Sequence, residues 1–456
     1  MAPTCDDGIQ NQDEVAVDCS RDSIYSDCES CCYNGIQDYD EEGVDCGGSN
    51  CAIPCGWVAV KGRILYEDID NATNTTGIFN PVRYGNLYLR LCDSYPCTSP
   101  THQALWTTDS MGNFNFMVPR SNFKSAFIRL GHEDDDDVYN FNYAVKIARD
   151  LDDCDETVWW HSASREIPPA GNIDFGELRI GRDANIDFTG YWQEETDAAL
   201  CGYGSSGTIN GGSGYFNIAD AILYARQYAD ARRSDNDAIG YVDVQWPDDS
   251  DISHYSPCHE EIALLQESGF NDYTIIHEYG HYLQDAIGTN DDYWGSSDHN
   301  FCTHGKDEEF AWSEGFAEYF GTIVSHNYAA LSNPMNLYTR LERPYCFEDN
   351  HNDCCEWPGK ESEATVAAVL WDLADDPTFT GSVSESHDTI SGKETLIFNI
   401  FDDELDNGDS IAADAPDLCE FIEQGLNCRA SSSAEKDAFW YIWKHFNVIC
   451  STGCDN

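Results

Sequence analysis

Two histidines four residues apart, His277 and His281, enclose Glu278 in the run Asp272-Tyr-Thr-Ile-Ile-His-Glu-Tyr-Gly-His-Tyr-Leu-Gln-Asp-Ala-Ile-Gly288. On a helix, positions i and i+4 project from one face, so both imidazoles can share one tetrahedral Zn²⁺. Glu278, next to the first of them, can then reach a water on that ion and serve as general base. An ion that does chemistry needs a third protein ligand and an open position, and His299, His304, Glu314 and Glu318 all follow as candidates. The run begins with an acidic residue and stops at a glycine, as a helix does. Ile276, Leu283 and Ile287 give it the apolar face that would anchor it. Gly280 inside the helix costs about 1 kcal/mol relative to alanine, which points to close approach of another backbone.

A second helical run, Phe310-Ala-Trp-Ser-Glu-Gly-Phe-Ala-Glu-Tyr-Phe-Gly321, places Glu314 and Glu318 one turn apart on one face. The spacing of a metzincin is absent, because His281 is followed by Tyr-Leu-Gln-Asp-Ala-Ile. The pair of motifs instead resembles the gluzincin metallopeptidases, the clan that includes thermolysin and a group of zinc aminopeptidases. Ser313-Glu-Gly-Phe-Ala317 is similar to that clan's second motif. The resemblance implies Glu314 as third zinc ligand and Glu318 as the residue that orients a ligating histidine, His277. It also implies a peptide substrate, and a His or Tyr donor beside the developing oxyanion, for which His387, Tyr338 and Tyr345 are candidates. The Gly-Ala-Met-Glu-Asn signature by which the aminopeptidases hold a free amine is missing upstream of His277, which favours internal cleavage. Glu261-Ile-Ala-Leu-Leu-Gln266 is the candidate edge strand for aligning an extended peptide.

These helices need a scaffold, and the chain supplies more than one unit. Residues 182–456 read as an α+β, mainly helical zincin-type catalytic domain. Its helices are expected at Phe216 to Arg232, Glu361 to Asp375 and Glu435 to Asn447, with short strands at Gly240 to Trp246 and Glu261 to Gln266. Residues 56–181 change to period two. Leu87, Leu89 and Leu91 alternate with Tyr88, Arg90 and Cys92, and Phe114, Phe116 and Val118 alternate with Asn113, Asn115 and Met117. That pattern predicts half-buried strands in an antiparallel β-sandwich, and the stretch resembles a transthyretin-like accessory domain.

Residues 1–55 hold two disulfide-rich repeats: Cys5 to Cys19 aligns with Cys32 to Cys46 at a constant offset, and each copy is followed by two further cysteines. Modules this short need cross-links in place of a core. The paired positions Asp7/Asn34, Asn11/Asp38, Asp13/Asp40 and Asp18/Asp45 offer hard oxygen ligands for Ca²⁺, or serve as solvated turn residues. The repeats resemble short modules of secreted proteins from marine microbes, which implies an extracellular setting.

With 21 cysteines, the chain is expected in an oxidising, extracellular compartment, and the odd count leaves at least one unpaired, paired between chains, or otherwise engaged. Asn71 and Asn74 head two sequons for N-glycosylation. The start Met-Ala-Pro-Thr-Cys reads as a mature or trimmed chain. Against 83 acidic residues stand 24 basic ones, a net charge of −59, which makes nucleic acid and anionic membrane surfaces poor partners. The best apolar stretch, Ala364 to Leu373, is too short to span a bilayer. The expected function is a secreted zinc peptidase acting on peptide or protein. The competing reading is a non-catalytic matrix or surface protein that keeps the peptidase fold and makes its contacts through residues 1–181. A zinc hydrolase of another substrate class is the third.

Overall fold

The computed structural model describes residues 57–70, 75–131 (without 98 and 120–122), 145–148, 157–181 (without 168–171), 190–195 and 212–288 (without 235–238 and 249). It further describes 301–302, 305, 307–331 (without 329), 341, 358–375, 389–404 and 416–450. In the repeats it gives only two short paired strands, β1 (Glu14–Ala16) and β2 (Cys19–Ser20). The candidate calcium residues Asp7, Asn11, Asp13, Asp18, Asn34, Asp38, Asp40 and Asp45 lie outside the described residues, as do Asn71 and Asn74.

The chain builds N-terminal β-sheets carrying a disulfide, then a mainly helical part. The long β3 (Trp57–Asp70) organises a four-stranded sheet. Its first half pairs antiparallel with β7 (Asn113–Pro119), and its second half pairs antiparallel with β4 (Thr75–Pro81). On its other edge lies β12 (Ile173–Ile180), which runs parallel to it, a departure from the purely antiparallel sandwich that the turn-rich sequence predicts. Strand β7 shows the expected alternation, with Phe114, Phe116 and Val118 buried between exposed or half-exposed neighbours.

The facing sheet contains β5 (Asn86–Cys92), β6 (His102–Thr107), β8 (Ser125–Gly131), β9 (Val145–Ala148), β10 (Thr157–Ser162), β11 (Arg165–Glu166) and β13 (Gly190–Glu195). Period two predicts that β5 is half-buried, yet Tyr88 is buried along with Leu87, Leu89 and Leu91. Strand β5 sits inside the sheet between β6 and β8, so both of its hydrogen-bonding edges are paired. Cys92 and Cys97 close a disulfide at its end.

This sheet does not stop at residue 181. Beyond helix α1 (Gly214–Asp230), β14 (Val242–Asp248) pairs parallel to β9, through Val242↔Val145 to Gln245↔Ala148. Strand β16 (Glu261–Leu265) pairs parallel to β14, and β15 (His254–Ser256) pairs antiparallel to β16. The segment Glu261 to Gln266 is therefore not the edge strand. Its outer side is already bonded to His254–Ser256, which forms the end of the sheet. Helices α2 (Asp272–Ala286), α3 (Glu308–Asn327), α4 (Glu363–Ala374) and α5 (Ser433–His445) follow. No helix among the described residues is long and apolar enough to cross a membrane.

Helix α1 joins the two parts. Phe216 packs into the core of the sandwich, while Ile218, Ile222 and Tyr228 belong to the core of the helical part. The polar side of the joint is built from buried charges. Asp220 forms an ion pair with Arg83 and accepts a hydrogen bond from the Tyr66 hydroxyl at 3.2 Å. Removing one member of such a buried pair costs about 3–5 kcal/mol, because the other is left uncompensated.

Nearby, Asp68 accepts from Ile69 N and from Asn80 Nδ2, at 2.6 and 2.9 Å. Burial, and then the Asp272 charge, push its pKa up to about 8. An aspartate in an unfolded chain titrates near ~3.9. Between these values the folded state holds a proton that the unfolded state has released, so stability falls as pH rises. The contribution of protonated Asp68 is complete below about pH 4 and is lost as pH passes about 8. In thermal melts, Asp68→Asn is expected to match wild type at about pH 4 and below, to exceed it by a growing margin up to about pH 8, and to hold that margin above it. A constant difference across that range would refute the assignment.

Candidate metal centre and its supports

Helix α2 begins where Asn271 accepts a hydrogen bond from Thr274 N, and its apolar stripe, Ile275, Ile276, Tyr279 and Leu283, is buried. Asn217 on α1 donates to Asp272 Oδ1 at 2.8 Å and to the Gly269 carbonyl, which fixes the start of α2 against α1. Helix α3 begins at Asp307, which accepts from Phe310 N at 2.8 Å.

The two helices approach closely at Gly280. A Cβ built there would stand 3.1 Å from Ala317 Cα and 3.4 Å from Ala317 Cβ. The close backbone approach expected from a helical glycine is present, and its partner is α3. One turn along, Gln284 Nε2 donates to the Ser313 carbonyl at 2.9 Å. The helix α3 packs on α4 in the same manner: a Cβ on Gly315 would fall 2.4 Å from Val366 Cβ and 2.8 Å from the Glu363 carbonyl. No side chain fits at that crossing without moving a backbone.

This packing carries Glu314 to the histidine pair. Glu314 Oε2 lies 3.5 Å from His277 Nε2 and 3.4 Å from His281 Nε2. The imidazole rings stand 5.0 Å apart, nearly perpendicular. Glu278 joins them in one cluster: His277, Glu278 and His281 each offer a ligand atom, all within 4.8 Å of one another. The Glu278 side chain is buried, whereas His277, His281 and Glu314 retain some exposure at 14%, 13% and 12%.

The donor set fits zinc. Two donors each about 2.0–2.1 Å from a tetrahedral ion lie roughly 3.4 Å from one another, the separation seen from Glu314 to each imidazole nitrogen. Two imidazoles and a carboxylate are also the chemistry zinc takes in sites that keep one position open. With Nε2 given to the metal, each ring must carry its proton on Nδ1. His281 Nδ1 lies 3.3 Å from Ser313 Oγ, which accepts that proton's hydrogen bond. His277 Nδ1 is buried with no hydrogen-bond partner among the described residues.

The electrostatics of these groups follow from the same contacts. Burial pushes the His277 pKa down, but the Glu314 hydrogen bond and the charges of Glu278 and Glu318 outweigh it and hold the ring at about 10. Burial acts against the Glu314 carboxylate too, and the two histidines overcome it, keeping Glu314 well below the usual carboxylate range.

Glu318 lies one turn beyond Glu314, near enough for its charge to act on His277, and its carboxylate accepts a hydrogen bond from the Tyr273 hydroxyl. His387, Tyr338 and Tyr345, the candidates for the oxyanion donor, lie outside the described residues, as do His299 and His304. Sequence reasoning passed over Ser313, Gln284 and Tyr273. A helical wheel holds a signal for each, since Gln284 follows His281 by three, Tyr273 precedes His277 by four, and Ser313 adjoins Glu314. Among the described cysteines Cys419 is joined to Cys450, and Cys258, at the turn between β15 and β16, is free.

Residues 230–412 match the mycolysin C-terminal domain, a span that includes the whole cluster. An uncharacterized protein of Archaeoglobus fulgidus is 45% identical over 352 residues, which cover 75% of this chain and 94% of that protein. A crystal structure of a 9R-lipoxygenase from Cyanothece PCC8801 aligns at 11% identity and a TM-score of 0.16, covering 39% of this chain and 24% of the lipoxygenase. A likeness that slight carries no argument.

Proposed function

Since this chain belongs to the family of that Archaeoglobus fulgidus protein, and carries a His–Glu–His cluster within a match to the C-terminal domain of mycolysin, a gluzincin-type metallopeptidase, we propose that it is a secreted zinc-dependent peptidase that cleaves internal peptide bonds. The observation that carries this reading is the convergence of Glu314 Oε2 on the Nε2 atoms of both histidines, from a separate helix. His277, His281 and Glu314 would hold the ion, and Glu278 is left as the base.

Zinc held there would polarise a scissile carbonyl and lower the pKa of a water molecule. Glu278, buried beside His277, takes that water's proton and returns it to the departing amine. With zinc held there, His281 would carry its proton on Nδ1 and donate it to Ser313 Oγ, which leaves the Nε2 lone pair for the ion. Strand β15 ends the sheet just ahead of α2, and its outer side is the place for an extended substrate to add by backbone pairing. Tyr255 of β15 donates to Asp285 of α2 at 2.5 Å, which ties that strand to the site helix. The disulfides suit secretion.

The test is to measure zinc and peptide cleavage in the purified chain. We expect one zinc per chain, cleavage within an internally quenched peptide, and loss of cleavage on chelation with recovery on adding zinc back. Stoichiometric zinc with no cleavage across a peptide library would defeat the peptidase reading.

A further inference from the structure

We infer that Tyr273 is a positioning residue of the zinc site, acting through Glu318 on His277. The inference rests on the zinc reading above and adds a residue to it.

When His277 offers Nε2 to an ion, Nδ1 carries a proton, and that buried atom needs an acceptor. Glu318 is the carboxylate one turn beyond Glu314 on the helix that faces His277. A glutamate is a poor fixed acceptor by itself, since its long side chain has rotamers to lose before it can hold one place. Tyr273 removes that freedom. It lies one turn before His277 on α2, its ring centre 6.0 Å from the imidazole, and its hydroxyl donates to Glu318 Oε2. The tyrosine and the histidine therefore stand side by side on α2, with Glu318 opposite them on α3.

Room for this arrangement has been made in α3. Gly321 follows Glu318 by three positions, and a Cβ there would stand 2.9 Å from the Tyr273 ring and 3.3 Å from the Tyr273 carbonyl. Any other residue at 321 would push the ring away from the carboxylate it holds. Tyr273, Glu318 and Gly321 thus form one unit whose output is the orientation of His277. Partners that orient a ligating histidine typically change metal affinity by about 10–100-fold when removed.

The test uses the full chain and zinc itself, with the dissociation constant read by competition against a chromogenic chelator. Tyr273→Phe keeps the ring in its cradle and deletes only the donor. It is expected to weaken zinc binding about tenfold and to shift the visible absorption of Co²⁺ loaded in place of zinc. Glu318→Gln should weaken binding by a similar factor, and adding Tyr273→Phe to it should cost nothing more. A dissociation constant for Tyr273→Phe within twofold of wild type, or single effects that multiply in the double variant, overturns the inference while leaving the zinc site standing. Wild type that binds no zinc overturns the zinc reading and this inference with it. Should Tyr273→Phe weaken the fold, the double-variant comparison still decides, because a purely structural loss would persist in the Glu318→Gln background.

Discussion

Glu278→Gln is expected to abolish nearly all peptide cleavage, lowering kcat/KM by roughly a hundred- to ten-thousand-fold, the range for removing a general base, while leaving zinc bound. Glutamine matches glutamate in shape and keeps an oxygen in the same place, so the packing around this buried side chain survives. What it loses is the ability to take a proton. The fall should appear in kcat, because the proton moves in the transition state and not on binding. Metal analysis and steady-state kinetics on the same preparation check this. Loss of zinc in parallel with activity would make Glu278 a ligand, since it shares the donor cluster with both histidines, and would overturn its role as base.

Glu314→Ala has the opposite signature: the metal goes first. If a zinc-binding free energy of about 10–16 kcal/mol is shared among its donors, one carboxylate is worth on the order of 3–4 kcal/mol, or some 10²–10³-fold in affinity. The same change is visible without metal. Glu314 is the hydrogen-bond partner that helps hold His277 at about 10, so alanine should lower that pKa, as read by NMR titration of the ring. In wild type, zinc must displace the His277 proton, and affinity therefore rises with pH. Zinc affinity for Glu314→Ala within a few-fold of wild type would show that the third ligand is another residue.

What could be read in advance followed from locality. The spacing of His277, Glu278 and His281 is a property of a single helix, as is the apolar stripe at Ile276 and Leu283, and α2 forms where its caps lie. Gly280 announced a close neighbour but not which one. Ala317 fills that role because α3 packs there, and no local pattern encodes a pairing 37 positions away. Strand β14 was legible as a strand, whereas its parallel pairing to β9 was not, because the segment between them contains other strands and a helix. The edge was misread for a related reason. His254–Ser256 is only three residues long and shows no alternation, so the longer Glu261–Leu265 drew the assignment that belongs to its neighbour. Tyr273 and Glu318 are each unremarkable alone, and their meaning depends on the crossing of two helices.

The sheet that passes from β9 to β14 has a practical corollary for anyone who would excise the helical part. A fragment beginning near residue 182 would leave the Val242–Gln245 flank of β14 with a row of unsatisfied amides and carbonyls beside the buried Val242, Val244 and Trp246. An open, apolar flank of this kind recruits strands from other copies. The fragment is therefore expected to clump, and a nick in the connection after residue 181 should leave the two pieces travelling together in gel filtration.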